Sequence, residues 1–273
     1  MKLSLSVRIA EEFSRKDRAL MPFEDLARMA ADIGYDALCM RASQAGVDTP
    51  PERRREMRAL LDDLGLGVTM VTGDVSIAAN DANASAALRN IDPHLDLADD
   101  FGSPLARVMI TDEVDIEHAC SAASRASARG IRLAHQTHTS TLLETVDESV
   151  AIARRIGPTG FGITVEPANL LAAGDACGPA EIGQLAPYVV NVYLQNQKLD
   201  DDGDTLIRLR ESSVRMRNLP LDAEEGIDLQ SLFQGLRNVG YDGPVTVHQS
   251  AIGGLSIEDS ARRYFELLAP FVT

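Results

Sequence analysis

Apolar residues recur along this chain with two alternating periods. Phe23, Leu26, Ala27, Ala30 and Ile33 repeat at steps of three and four, which gives a helix one buried face. Gly34-Tyr35-Asp36 then punctuates the chain, and Ala37-Leu38-Cys39-Met40 reads as a buried strand. The same unit returns after Asp228. Leu229, Leu232, Phe233, Leu236 and Val239 form the stripe, Gly240 closes the helix, and Tyr241-Asp242-Gly243-Pro244 leads into the run Val245 to His248. Looser copies place Met57, Leu60, Leu61 and Leu64 before Val68 to Val71, and a polar, alanine-rich helix from Val114 to Gly130 before Ile131 to Ala134. Leu3 to Val7, Leu105 to Ile110, Phe161 to Val165 and Val189 to Leu194 bring the strands to eight. Strands separated by helices are predicted to lie parallel through right-handed crossovers. Eight such units in 273 residues predict an α/β chain folded as a single (β/α)8 barrel over residues 1–273. An open doubly wound sheet is the alternative, but no Gly-x-Gly-x-x-Gly follows the first strand.

Composition narrows the function. With 26 Lys and Arg against 41 Asp and Glu, the net charge of −15 opposes both a phosphate backbone and an anionic membrane surface. Cys39, Cys120 and Cys177 are odd in number and form no Cys-x-x-Cys pair, so neither a disulfide framework nor a structural zinc motif is predicted. Cys39 and Cys177 read as buried, inert thiols. No apolar run is long enough to span a bilayer, and the first residues lead into Arg8, Glu11 and Glu12, so a cytoplasmic protein is expected. The absence of Trp argues against an extended polysaccharide groove.

Chemistry in such a barrel belongs at the C-terminal ends of the strands. Four successive ends in the second half are polar: His135-Gln136-Thr137-His138, Glu166-Pro167-Ala168-Asn169, Tyr193-Leu194-Gln195-Asn196 and His248-Gln249. An acidic residue directly after the apolar run Phe161 to Val165 would face a low-dielectric interior, which singles out Glu166. Tyr193 reads as packing with a wet hydroxyl, Glu144 as a helix-entry carboxylate, and His94 and His118 as solvent-facing. The stretch from Gln195 to Ile227 is too long for an ordinary connection and predicts a lid, hairpin or interface, with a locally basic part at Arg208, Arg210, Arg215 and Arg217. Residues 72–85 are a second candidate cover.

With Gly240 to Gly243 before the last strand, and Gly34 to Asp36 before the second, the chain resembles the xylose isomerase-like superfamily of sugar isomerases and epimerases. That resemblance implies a divalent metal held by Glu, Asp, His and Glu from the fifth to eighth strands. In this sequence His135, Glu166, Tyr193 and His248 stand at those places. The resemblance thus implies His135, Glu166 and His248 as ligands for Mn, Zn, Fe or Co, and His138, Glu166 and His248 as catalytic groups. Asn169, Gln195, Asn196, Gln249 and Arg217 would bind a small polyhydroxy substrate. The implied activity is isomerisation or epimerisation of a sugar or keto-sugar through a metal-stabilised enediolate. A keto-sugar or keto-polyol lyase, or an inactive barrel that binds a ligand or partner subunit, are the alternatives. Self-association is left open, and the charge disfavours the DNA-repair branch of the superfamily.

Overall fold

The computed structural model describes residues 1–272. Eight parallel strands close into a barrel: β1 (Lys2–Ser6), β2 (Ala37–Arg41), β3 (Gly67–Thr72), β4 (Leu105–Val108), β5 (Arg132–Gln136), β6 (Phe161–Val165), β7 (Val189–Leu194) and β11 (Pro244–Val247). Each neighbours its predecessor, and β11 returns beside β1, with Leu5 opposite Val247. The predicted strand count, order and closure are therefore observed.

Helices cover the outside where the stripes place them. In α1 (Phe23–Ile33) every residue of the predicted stripe is buried, and Gly34 ends the helix at φ 111°. In α9 (Leu229–Asn238) Leu232, Phe233 and Leu236 are buried, and Gly240 takes φ 66° so that Tyr241 N–H reaches the Leu236 carbonyl at 3.0 Å. A left-handed turn is cheap only for glycine, which is why this punctuation recurs. Pro93 falls in the first turn of α4 (Asp92–Phe101), after a separate 3-10 turn at Ala84–Arg89, so the segment it interrupts is two pieces. Ser256 caps the last helix, α10 (Ile257–Val272), by accepting from Asp259 N–H at 3.0 Å.

The long stretch after β7 folds into an antiparallel sheet, with β10 (Ser213–Leu219) between β8 (Asn196–Leu199) and β9 (Thr205–Arg208). It is tied down at its far end. Ser140 Oγ donates to the Arg208 carbonyl at 2.8 Å, and Glu144 accepts the Arg210 N–H at 3.0 Å and that of Ser140 at 2.6 Å. Glu144 is thus an anchor for this sheet; α6 (Val146–Ile156) is capped by Thr145 and Glu148. Among the described residues no helix is long and apolar enough to cross a membrane.

Candidate active site

Side chains alternate across a strand, so each barrel strand sends every second residue inward. Leu3, Leu5 and Val7 join the outer core, and Ser4, Ser6 and Arg8 alternate with them. Continuing that parity to the C-terminal end gives an inward layer of Arg8, Arg41, Arg107, Gln136, Glu166, Gln195 and His248. Tyr193 lies beneath it. The Tyr193 ring stacks on His248 with centroids 3.8 Å apart and planes within 4°, and its hydroxyl meets Cys39 Sγ at 3.1 Å. This phenol is fully buried, and burial holds its pKa well above the ordinary value. The predicted wet hydroxyl is dry.

Above Tyr193 lies a cavity of about 250 Å³. Arg8, Lys16, Gln136, His138, Asn169, Gln195 and His248 line it from the barrel side, and Gln197, Thr205, Ile207 and Asn218 from the three-stranded sheet. That sheet is the cover that the length of the segment predicts. Asn80, from the second predicted cover, completes the wall.

Hydrogen bonds fix the protonation of the three histidines. His135 Nδ1 lies 2.6 Å from the Gln136 carbonyl and His138 Nδ1 lies 2.8 Å from that of Thr139, so in both the proton is on Nδ1. Each Nε2 is then a bare lone pair. Burial pushes the pKa of His135 down to about 3 and that of His138 down to about 4. His248 Nε2 lies 3.2 Å from Arg8 Nη1, and its Nδ1 lies 3.1 Å from Ser6 Oγ. A guanidinium can only donate, so His248 Nε2 accepts and Nδ1 carries the proton toward Ser6. Burial, then the neighbouring arginines, hold His248 well below its usual pKa.

Glu166 ends β6 and is fully buried. Its Oε2 is hydrogen-bonded to the Gln136 amide, and its N–H donates to Thr137 Oγ1 at 2.8 Å. Burial lifts its carboxyl to about 7 against the opposing pull of Arg8, Arg107 and Arg41. Arg41 is spent on Glu11, through Nε at 2.9 Å and Nη2 at 3.0 Å, with both side chains fully buried.

The sequence-predicted residues divide. His138, His248, Asn169 and Gln195 line the cavity, and Glu166 lies behind Gln136. His135 does not join them: Gln136 points inward, so its neighbour points outward to the helix layer, where its Nε2 is buried without a partner. Asn196 holds the turn at Pro220, Glu225 and Ile227, and Gln249 accepts the Asn196 N–H at 2.8 Å, so these two pin the lid. Arg217 faces away, paired with Asp200 at 2.6 Å, because its strand neighbour Asn218 faces the cavity. His94 is buried 3.7 Å from Asp74, which replaces the solvent-facing position expected for it. Cys39 is buried and Cys177 half-buried, and desolvation raises their thiols to about 11 and about 12, so both are inert. Arg8, Arg41, Arg107 and Gln136 are not among the site residues expected from the sequence, although each lies an odd number of positions from an outward-facing residue, Leu5, Met40, Val108 or Leu133, which places all four inside the barrel.

The residues present do not fit a divalent ion. Of the implied ligands, His135 is on the wrong face, Tyr193 is a neutral phenol bonded to Cys39, and the free lone pair of His248 already faces Arg8. Glu166 alone remains, beside three guanidinium charges that repel a cation. Among the described residues no three His, Cys, Asp or Glu side chains are grouped to hold a metal ion.

Solved structures of similar fold include the probable 3-DHS dehydratase AsbF from Bacillus anthracis, at TM-score 0.72 and 15% identity, covering 98% of this chain and 99% of that one. A D-psicose 3-epimerase with D-tagatose from Clostridium cellulolyticum H10 matches at 0.70 and 12%, covering 100% and 99%. A xylose isomerase-like TIM barrel protein from Mycobacterium smegmatis in complex with magnesium matches at 0.70 and 18%, covering 100% and 98%. At these identities the likeness is one of fold. A comparison with curated protein sequences finds no match. The model of one family, xylose isomerase-like TIM barrel, matches residues 27–268. The barrel, its polar C-terminal rim and that match together make this chain a member of the xylose isomerase-like TIM barrel family, whose structural relatives are mostly enzymes.

Proposed function

We propose that this barrel moves a proton at the carbon beside a carbonyl, and so isomerises or epimerises a small keto-sugar or related polyhydroxy compound. The observation that carries the reading is Glu166: a carboxyl at a strand's C-terminal end, held by Gln136 behind the cavity wall, with its pKa lifted to about 7. Such a group takes up and returns protons with equal ease near neutral pH. When the carbon's proton passes to the unpartnered Oε1 of Glu166, as Gln136 moves aside, the electron pair leaves negative charge on the former carbonyl oxygen. Arg8 faces the same cavity and can stabilise that charge, the part assigned to a metal in the sequence reading. Return of the proton to the adjoining carbon, with the neighbouring hydroxyl's proton passing to the former carbonyl oxygen, gives the isomer, and return to the opposite face of the first carbon gives the epimer. His138 offers its Nε2 lone pair to a substrate hydroxyl, Asn169 and Gln195 offer amides, and His248 steadies Arg8. The same enolate can instead expel a neighbouring hydroxyl, which takes the proton held by Glu166 and leaves as water. The dehydratase title of one structural neighbour supports that second reading.

Incubation of the protein with a panel of ketoses and keto-acids in deuterated water tests both. Deuterium entering product of otherwise unchanged composition is expected, read by NMR and mass spectrometry. A product lighter by one water assigns the lyase. No exchange into any member of the panel removes both readings and leaves a binding barrel.

A further inference from the structure

We infer that the compound bound in this cavity carries a fixed negative charge, a carboxylate or a phosphate, seated on Arg8. The inference rests on the reading of the rim as a substrate site but not on which proton is moved there.

The chain as a whole is strongly acidic, at −15, yet the charges around this cavity run the other way. Arg8 and Lys16 stand in its wall, Arg41 and Arg107 behind it, and the nearby acids are Glu11 and Glu166. Arg41 and Glu11 neutralise each other through two short hydrogen bonds. Arg8, Arg107 and Lys16 are then left with Glu166 alone, and that carboxyl is half protonated near neutral pH.

Neither Arg8 nor Arg107 makes an ion pair among the described residues. Arg107 is bonded to the Asn80 side-chain oxygen, and its Nε is buried without a partner. Arg8 meets the neutral His248 through Nη1, and its Nε is likewise buried without a partner. One imidazole lone pair cannot satisfy five guanidinium donors. Lys16 lies 3.6 Å from Glu11 and 4.9 Å above the Phe13 ring, at the edge of the same wall. Buried cations without a counter-charge cost stability unless something supplies one. Consistent with this, burial and the nearby Arg41 lower the pKa of Arg8, and burial brings that of Arg107 down to about 10, so both still carry their charge at neutral pH. A purely structural Arg8 would be spent as Arg41 is. It is instead aimed into a cavity whose other lining groups, Gln136, His138, Asn169 and Gln195, suit hydroxyls. An oxyanion on Arg8 would supply its counter-charge and take part of its free donors, the rest remaining for the enolate oxygen.

Calorimetric titration of the whole chain with D-fructose, D-fructose 6-phosphate and 2-keto-D-gluconate tests this, because the three share a keto-hexose skeleton and differ in charge. One anionic compound is expected to bind at least about tenfold tighter than fructose, the scale of a charge-assisted hydrogen bond. Preference for the phosphate or for the carboxylate assigns which anion it is. Arg8→Gln should abolish the preference, and Lys16→Gln, at the more exposed edge, should reduce it by a few-fold. Fructose binding as tightly as both anions overturns the inference, as does a preference that survives Arg8→Gln. If none of the three binds, thermal melting with inorganic phosphate and with acetate decides. Stabilisation by either that vanishes in Arg8→Gln supports the site, and its absence in the native protein overturns it. These are equilibrium readings and need no turnover, so a failure of the proposed reaction leaves them separately interpretable.

Discussion

The two ends of the barrel differ in a way that separates space from chemistry. At the N-terminal mouth, where strands begin, the walls enclose about 960 Å³, nearly four times the 250 Å³ beneath the lid. Polar groups there are spent on the backbone: Asp36 accepts Leu3 N–H at 2.7 Å, Tyr35 donates to the Ala261 carbonyl and Tyr241 to that of Pro244, both at 2.8 Å. The rim is smaller and less satisfied: Arg8 Nε, Arg107 Nε, Gln136 Oε1 and Glu166 Oε1 are buried without hydrogen-bond partners, against Arg132 Nε among the residues that line the mouth. Ionisation differs too. Arg132 at the mouth is lowered by burial alone, whereas Glu166 is raised by burial and pulled back by three arginines. Size follows from where loops diverge; function is better sought where buried groups perturb one another.

The largest expected effect tests that distinction on turnover. Glu166→Gln should lower kcat/KM by about 10²- to 10⁴-fold, the usual contribution of a general acid-base group. Tyr241→Phe at the mouth should leave turnover within about twofold while removing one neutral hydrogen bond, a stability loss of about 1 kcal/mol. Steady-state kinetics and urea unfolding of both variants check this, and equal losses of turnover would erase the distinction between the ends.

Stability should separate the two kinds of rim arginine as well. Glu11→Gln leaves Arg41 buried and uncompensated, for which an expected loss is about 3–5 kcal/mol. Arg8→Gln removes a charge that has no carboxylate to lose, so its unfolding midpoint should stay near the native value or rise. Urea denaturation reads both, and a comparable loss in the two would mean that Arg8 has a structural counter-charge after all.

What was legible in the sequence follows the same physical divide. The stripes at Phe23 and Leu229 and the glycines at 34 and 240 reveal the barrel, because burial and left-handed caps act through local spacing. Glu166 is legible because a carboxylate after five buried residues needs a reason. His135 misleads because adjacent strand residues look alike in a sequence while facing opposite sides of the sheet. The arginines escape notice for another cause: arginine is usually a surface residue, and only partners in the connections after other strands, Glu11 for Arg41 and Asn80 for Arg107, make these two interior ones. The pattern locates the rim, but the partners that settle its charge are far apart in the chain.

A third prediction concerns pH, to which the mouth should contribute little. Below 6.5 the unfolded chain binds protons on three histidines that the folded rim keeps neutral, with His135 at about 3, His138 at about 4 and His248 well depressed. Stability from these groups is present above 6.5 and lost as pH falls. Glu166 has the opposite sign, since its folded value of about 7 exceeds 4.5 and the folded chain holds the extra proton between them. Its contribution falls as pH rises through that window, by roughly 3 kcal/mol once the carboxyl is fully ionised. Three histidines outweigh one carboxyl up to neutral pH, so unfolding free energy should climb with pH and level off above about 7. Glu166→Gln should steepen the climb between about 5 and 6.5 by about 1.4 kcal/mol per pH unit. An unchanged slope in this variant would mean that Glu166 holds no extra proton in the folded chain.

The smallest effect lies one residue from the cavity. Arg217 and Asn218 are adjacent in β10, so only one of them can face inward, and the structure gives that side to Asn218. Asn218 is held there by Gln197 Nε2 at 2.7 Å and by Thr205 Oγ1 at 2.9 Å, while Arg217 crosses the outer face to Asp200. An exposed pair of this kind is screened by water and salt and adds little. Arg217→Ala should therefore leave the melting temperature and kcat/KM unchanged within error, whereas Asn218→Ala should raise KM several-fold with a smaller change in kcat, the pattern of lost uniform binding. If Arg217→Ala proved the more damaging of the two, the lid would have to turn its other face to the substrate during turnover, and charge at the rim would then be supplied from above as well as from the barrel.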